Sequence, residues 1–174
     1  KPSKKEPPSR VMILESDLTE EIQALLREMV DAGCTHCFME ASSHAIDQSR
    51  MAGVQLAGAV FTNITHDHLD YHGDFNAYIQ AKKGLFDLVG ADAFALYNQD
   101  DSHGPDMVLD CKGRVKDYAL TSMADYRGRV VENTLEGLQL HLNGHDLYSQ
   151  LIGDFNAYNL LAVYAVAVEL GMDQ

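Results

Sequence analysis

GAVFTNITHDHLDYHGDFNAYIQAKKGLFDLVGADAFALYN, residues 58–98, is the stretch on which the fold turns. Residues 58–63 form a short apolar run that predicts a strand. DFNAYIQAKKGLFDLVG then predicts a helix with Asp74 as its N-cap, and DAFALYN a further strand. Strand, helix and strand in alternation imply parallel strands covered by helices. His66, Asp67, His68, Asp70, His72 and Asp74 crowd the connection between the first of these strands and the helix. In open α/β sheets such a connection leaves the carboxyl end of its strand, which is where ligands bind.

The flanks fit the same plan. Upstream, SDLTEEIQALLREMVDAG predicts a helix with Asp17 as N-cap and Glu20 three residues on, an apolar stripe of Ile22, Leu25, Leu26, Met29 and Val30, and Gly33 as the stop. THCFMEA predicts a short buried strand closed by Glu40, and SSHAIDQSRMAGVQL is polar, then weakly helical. Beyond about Asp110 the texture changes. GRVVENTLEGLQLHLNGHDLYSQLIG alternates apolar with polar residues around an Asn143-Gly144 hairpin signal, which predicts a small antiparallel meander. DFNAYNLLAVYAVAVELGMD predicts an almost wholly apolar helix, stopped at Gly171 and buried against several neighbours. The expected fold class is α/β: a mostly parallel sheet flanked by helices, with a small antiparallel sheet. At 174 residues the chain has the length of one domain with a proper core. KPSKKEPPSR lacks an apolar signal region, so residues 1–16 read as a disordered leader or truncation junction and 17–174 as the folded domain.

Composition narrows the partners. Thirteen Lys and Arg against 26 Asp and Glu give a net charge of −13, which argues against nucleic acid or an anionic membrane. No apolar run approaches the ~20 residues of a membrane span. Cys34, Cys37 and Cys111 are an odd number in a large polar chain, which fits a reducing cytoplasmic setting. Cys34 and Cys37 lack a second CxxC and read as buried structural thiols.

Several residues carry candidate chemistry. A carboxylate at the end of an apolar strand, as at Glu40, is costly to bury unless paired or metal-bound; the alternative is a side chain turned to solvent. The His/Asp cluster reads as a metal site of open identity, because Mg²⁺ favours carboxylates and water whereas Zn²⁺ or Mn²⁺ suits imidazole. At about 100° per residue, Phe75, Tyr78, Ile79, Leu85, Phe86 and Val89 share one helix face. Lys82 lies near the middle of that face and Lys83 at its edge. Lys82 is either a snorkelling cation covering apolar surface or a lysine directed at a partner and altered in chemical state. Ser42, Ser43 and His44 could suggest a hydrolase, but no G-x-S-x-G elbow or strand–nucleophile–helix context is visible. They read better as hydrogen-bonding groups for a polar ligand. No G-x-x-x-x-G-K-[ST] occurs, so this chain has no phosphate-cradling loop of its own.

MEASSHAIDQSR, then FTNITHDHLDYHGDFNAYIQAKKGLF, then LIGDFNAYNLLAVYAVAVELG together resemble the central, ATP-binding domain of the Mur ligases, in register from about Glu20 to the end. The DHLDYHG and SSHA…Q-x-R spacings favour the branch that adds the third peptide residue of peptidoglycan. The resemblance implies an ATP-dependent amide ligase in which ATP phosphorylates the D-Glu carboxylate of UDP-N-acetylmuramoyl-L-Ala-D-Glu. An incoming amine, diaminopimelate or lysine, then attacks the acyl phosphate. It implies Mg²⁺ held by Glu40, His68 and a carbamylated Lys82. It also implies contacts from Ser42, Ser43, His44, Gln48 and Arg50 to the UDP-linked dipeptide, and from Asn156 and Asn159 to the adenine side of ATP. Three features depart from the family pattern. The stretch KPSKKEPPSRVMILESDL matches neither the family's phosphate loop nor its paired threonines, no C-terminal amino-acid-selecting domain follows, and His66 stands where Arg is common. The expectation is a segment of a ligase, not competent alone. The alternatives are a non-catalytic nucleotide-sugar or nucleotide-binding fragment and a metal-dependent hydrolase.

Overall fold

The computed structural model describes residues 13–14, 19–65 and 74–172. Contacts divide the chain into two compact units, Lys1–Val54 and Gln55–Gln174, where length alone suggests one domain.

In the first unit, β1 (Ile13–Leu14) runs parallel to β2 (Phe38–Met39), with Ile13 opposite Phe38. Helix α1 (Thr19–Asp31) buries Ile22 and Met29, which lie two turns apart on one line of the helix. Val30, expected in the same stripe, is 64% exposed; it sits about 100° around the helix from Met29. The stop at Gly33 has a physical basis. Its φ is +77°, Cys34 N donates to Met29 O at 2.9 Å, and Gly33 N donates to Val30 O at 3.0 Å. These are the paired bonds of a Schellman cap, which needs the left-handed conformation glycine adopts without strain. The expected N-cap, Asp17, lies outside the described residues. The thiols differ from expectation: Cys34 is half-buried and Cys37 is exposed. The apolar run that seemed to enclose Cys37 yields a strand of only two residues, which starts after it.

The second unit holds a six-stranded sheet ordered β3-β4-β5-β6-β7-β8. β3 (Gly58–Phe61), β4 (Phe94–Asn98) and β5 (Arg114–Ala119) are parallel, with Val60 opposite Leu96 and Leu96 opposite Lys116. β6 (Tyr126–Thr134) joins the parallel and antiparallel parts. Tyr126 and Arg127 pair in parallel with β5, and from Gly128 the strand pairs antiparallel with β7 (Gly137–Leu142), followed by β8 (His145–Ser149). The expected meander is therefore the continuation of the parallel sheet rather than a separate one. Asn143 and Gly144, at φ 45° and 96°, make the tight turn between β7 and β8.

Alternation along β4 sorts the core into two layers. Phe94 and Leu96 pack with Tyr118, Leu140 and Leu161 under helix α5 (Asp154–Glu169). Ala95 faces the other side, with Ile79 and Phe86 of α3 (Phe75–Asp87) and Met107 of α4 (Gly104–Met107). Asp74 caps α3 as predicted, its Oδ1 accepting from Ala77 N at 2.9 Å. Helix α5 buries Ala157, Leu161, Ala162 and Ala165, but Phe155 and Val163 are 68% and 66% exposed. A flat sheet covers one side of a helix, so the expectation of burial against several neighbours holds on that side only.

Candidate functional site

β3, β4 and β5 end side by side, and their carboxyl ends are tied by polar side chains. Asn98, the last residue of β4, is buried yet satisfied: its Nδ2 donates to Thr62 O at 3.0 Å, and its Oδ1 accepts from Asp100 N at 3.0 Å. Tyr118 of β5 donates its hydroxyl to Phe61 O at 3.3 Å. Burial, then the nearby Asp101 charge, push the Tyr118 phenol well above its ordinary range, so it stays a donor. Asp101 accepts from Ile64 N at 3.1 Å and from His103 N at 2.9 Å. Residues 62–65, which lead into the His/Asp cluster, are thus fastened at Thr62 and Ile64 by one turn after β4. Phe75, at the start of α3, stacks edge-on against His103 of that turn at 5.4 Å.

Asp100 is the most heavily bonded carboxylate among the described residues. Its Oδ2 accepts from Leu120 N at 2.8 Å, Thr121 N at 2.9 Å and the Tyr158 hydroxyl at 3.0 Å. Its Oδ1 accepts from Ser122 N at 2.9 Å and Thr121 Oγ1 at 2.6 Å. Burial acts to raise its pKa, but the bonds from Ser122, Thr121 and Leu120 outweigh it and hold the group well below the usual carboxylate range. Burial and the bond to Asp100 push the Tyr158 phenol up to about 12. Nothing in the sequence periodicity flags this turn. Its only signal is the density of Asn and Asp directly after an apolar strand, a composition suited to turns whose side chains bond backbone.

The residues expected from the sequence fall in both units. In the first, Glu40 follows β2 and is exposed. Ser42 caps α2 (Ser43–Asp47), its Oγ accepting from Ala45 N at 3.2 Å, while Ser43 is buried. A short strand does precede Ser42, but its φ of −68° and ψ of 153° are relaxed, unlike the strained elbow of a nucleophilic serine. His44 lies within α2. Gln48 is the C-cap, and its Oε1 accepts from Arg50 Nε at 3.0 Å and Nη2 at 2.6 Å. Ser42, Ser43, His44, Gln48 and Arg50 are thus brought together on one short helix and the turn after it.

In the second unit, Lys82 is half-buried, with Nζ 5.3 Å from the centre of the Tyr78 ring. Periodicity placed Lys83 at the edge, yet its side chain is only 13% exposed and pairs with Asp87 at 3.0 Å and Asp110 at 3.2 Å. The hydrogen bonds that Lys83 donates to Asp87 and then to Asp110 raise its pKa and keep it cationic. Asn156 and Asn159 are adjacent on α5: Asn159 Nδ2 donates to Asn156 Oδ1 at 3.4 Å, and Asn156 Nδ2 donates to Ile152 O at 2.8 Å. His68, with the rest of residues 66–73, lies outside the described residues. Among the described residues no group of three His, Cys, Asp or Glu side chains could hold a metal ion, and no helix is long and apolar enough to cross a membrane.

Residues 13–167 match the family model of the Mur ligase middle domain. The UDP-N-acetylmuramoyl-L-alanyl-D-glutamate--2,6-diaminopimelate ligase of Cytophaga hutchinsonii is 52% identical over 153 residues, which cover 88% of this chain and 32% of the relative. The ligase of the same name from Geobacter sulfurreducens is 39% identical over 162 residues, covering 87% and 32%. The chain thus spans about a third of the length of the curated relatives it matches. A solved structure of a UDP-N-acetylmuramoyl-L-alanyl-D-glutamate--2,6-diaminopimelate ligase superposes with a TM-score of 0.84 at 28% identity, over 95% of this chain and 38% of that one. MurF ligase of Thermotoga maritima, solved in complex with ADP, shares the fold at a TM-score of 0.68 and 14% identity, over 95% of this chain and 40% of that one. The match over residues 13–167, most of the length of the chain, leads to one assignment: the chain belongs to the Mur ligase middle-domain family.

Proposed function

We propose that this segment serves as the middle domain of a MurE-type ligase, one that joins a third amino acid to UDP-N-acetylmuramoyl-L-Ala-D-Glu at the expense of ATP in peptidoglycan synthesis. The match of residues 13–167 carries this reading. The names of its relatives favour diaminopimelate over lysine as the incoming amine. The reaction forms a D-Glu acyl phosphate and ADP; the amine then attacks the acyl carbon and releases phosphate.

The chain's own residues divide the work. Arg50, with Ser42, Ser43, His44 and Gln48, would hold the UDP-linked dipeptide; the guanidinium supplies the fixed cation that an anionic substrate needs on an acidic protein. Asn156 and Asn159 would face the adenine end of ATP. Glu40, His68 and Lys82, the last as a carbamate formed when its amine adds carbon dioxide and loses a proton, would hold Mg²⁺. Exposure of the Glu40 carboxylate and an oxygen-rich donor set fit a hard divalent cation. Such a cation, when bound, neutralises charge on the phosphates. The relaxed backbone at Ser42 counts against a serine-hydrolase reading.

Calorimetric titration of the purified chain with UDP-N-acetylmuramoyl-L-Ala-D-Glu tests this reading. Saturable heat that is lost in Arg50→Ala is the expected result. No binding, together with stoichiometric zinc and phosphatase activity, would replace it with a metal-dependent hydrolase.

A further inference from the structure

We infer that Asp100 is a positioning residue for the nucleotide side of the site, acting through Tyr158 on the helix that carries Asn156 and Asn159. The inference rests on the reading of those two asparagines given above. It concerns a contact that neither the His/Asp cluster nor the asparagines themselves supply.

Helix α5 is fastened at three levels. At its start, Asn133 Nδ2 donates to Asp154 Oδ1 at 2.9 Å, and Gly153 N donates to Asn133 Oδ1 at 3.1 Å. At its end, Glu169 accepts from the Tyr126 hydroxyl at 2.7 Å and from Arg114 at 3.3 Å. Between them, Tyr158 reaches Asp100 at 3.0 Å. Tyr158 stands between Asn156 and Asn159 in sequence, so this bond acts on the turn that presents both. The buried contacts beside it are Ala157 and Leu161, which fix the distance of the helix from the sheet. Apolar contacts are non-directional and set rotation about the helix axis weakly. A hydrogen bond to an ionised carboxylate is short, directional and stronger than a neutral one. The other four bonds to Asp100 hold it on the 120–122 connection, so its oxygen is a fixed reference point. One carboxylate therefore ties the end of β4, the β5–β6 connection and the asparagine-bearing turn into a single frame. Removing the phenolic oxygen leaves the Asp100 loop bonds and the ties at Asp154 and Glu169 in place, and takes away the directional tie at the turn that presents the asparagines. Binding energy for the adenine end is then spent on ordering the asparagines.

The test uses the full chain as Tyr158→Phe, with Asp100→Asn as a second variant. ADP and UDP-N-acetylmuramoyl-L-Ala-D-Glu are titrated separately and followed by ¹⁵N NMR at millimolar ligand. The expected result is an ADP affinity weakened about tenfold in Tyr158→Phe, with affinity for the UDP-linked dipeptide unchanged within about twofold. General loosening of the fold would move both affinities, and backbone amide shifts at 120–122 in Tyr158→Phe report whether the loop stays intact. ADP affinity unchanged within about twofold in both variants would overturn the inference while leaving the functional reading in place. An unsubstituted chain that binds the UDP-linked dipeptide but not ADP would overturn the inference and the adenine assignment of Asn156 and Asn159. A chain that binds neither ligand would remove the functional reading and the inference with it.

Discussion

Replacing Asp100 by Ala removes one acceptor from five donors at once, and the burial of those donors sets the cost. Three of the five bonds, from Leu120 N, Ser122 N and Tyr158, are partly buried; the two from Thr121 are exposed. A donor stripped of its partner costs about 1–3 kcal/mol when water is excluded, and little where water replaces the acceptor. Taking about 1 kcal/mol for each partly buried donor and nearly nothing for the others gives about 3 kcal/mol. For a chain of this length that lowers the melting midpoint by about 10 °C. The pH dependence follows from the sign of the shift. The folded-state pKa of Asp100 lies below its unfolded value, so its contribution is complete above the ordinary aspartate value of about 3.9 and is lost as pH falls toward the folded value. Thermal or urea unfolding of the two proteins at neutral pH and again near pH 3 is the assay. The gap should be about 3 kcal/mol at pH 7 and should shrink at the lower pH. A gap under about 1 kcal/mol at neutral pH, or one that does not change with pH, would show that the ionised Asp100 carboxylate does not hold these five donors.

Other perturbations probe neighbouring parts of the frame. Gly104→Ala would push a Cβ into the main-chain carbonyl of Asn98, which cannot swing aside, and should cost about 1–3 kcal/mol by denaturant midpoint. Asp74→Ala removes the cap of α3 and should cost about 1 kcal/mol, with faster hydrogen exchange in the first turn of that helix. Tyr118→Phe strips the buried bond to Phe61 O and should cost about 1–2 kcal/mol with the fold otherwise unchanged. If Lys82 is carbamylated, native mass spectrometry near neutral pH should show a gain of one carbon dioxide that is lost on acidification and is absent in Lys82→Arg; an unmodified mass in a metal-loaded, active ligase would count against it.

Much of the fold was legible because its signals are local. The cap at Asp74, the stop at Gly33 and the Asn143-Gly144 turn are each fixed by the chemistry of a few adjacent residues. The apolar face of α3 also emerged, since Tyr78, Ile79 and Phe86 follow helical spacing. What escaped depends on contacts distant in sequence. β5 reads RVKDYA, mixing charge with apolar residues, and becomes a strand because β4 and β6 flank it. Periodicity put Lys83 at the edge of its helix, because Asp110, from beyond β4, could not be foreseen as its second partner. At the site, motif resemblance named the residues, and the structure groups five of them around α2 and two on α5. The fastening turn at 98–101 left only a compositional signal, because the bonds by which it ties other elements span 20 to 58 residues along the chain.

As proposed above, this segment belongs to a ligase that activates a carboxylate with ATP. The most direct measurement supplies the complete protein carrying residues 13–172 with ATP, Mg²⁺, UDP-N-acetylmuramoyl-L-Ala-D-Glu and diaminopimelate, and follows nucleotide and products together by mass spectrometry. One ADP should form for each UDP-linked tripeptide, with no turnover when the dipeptide is omitted. ATP hydrolysis that proceeds without the dipeptide, or dipeptide left unextended while ATP is consumed, would contradict it.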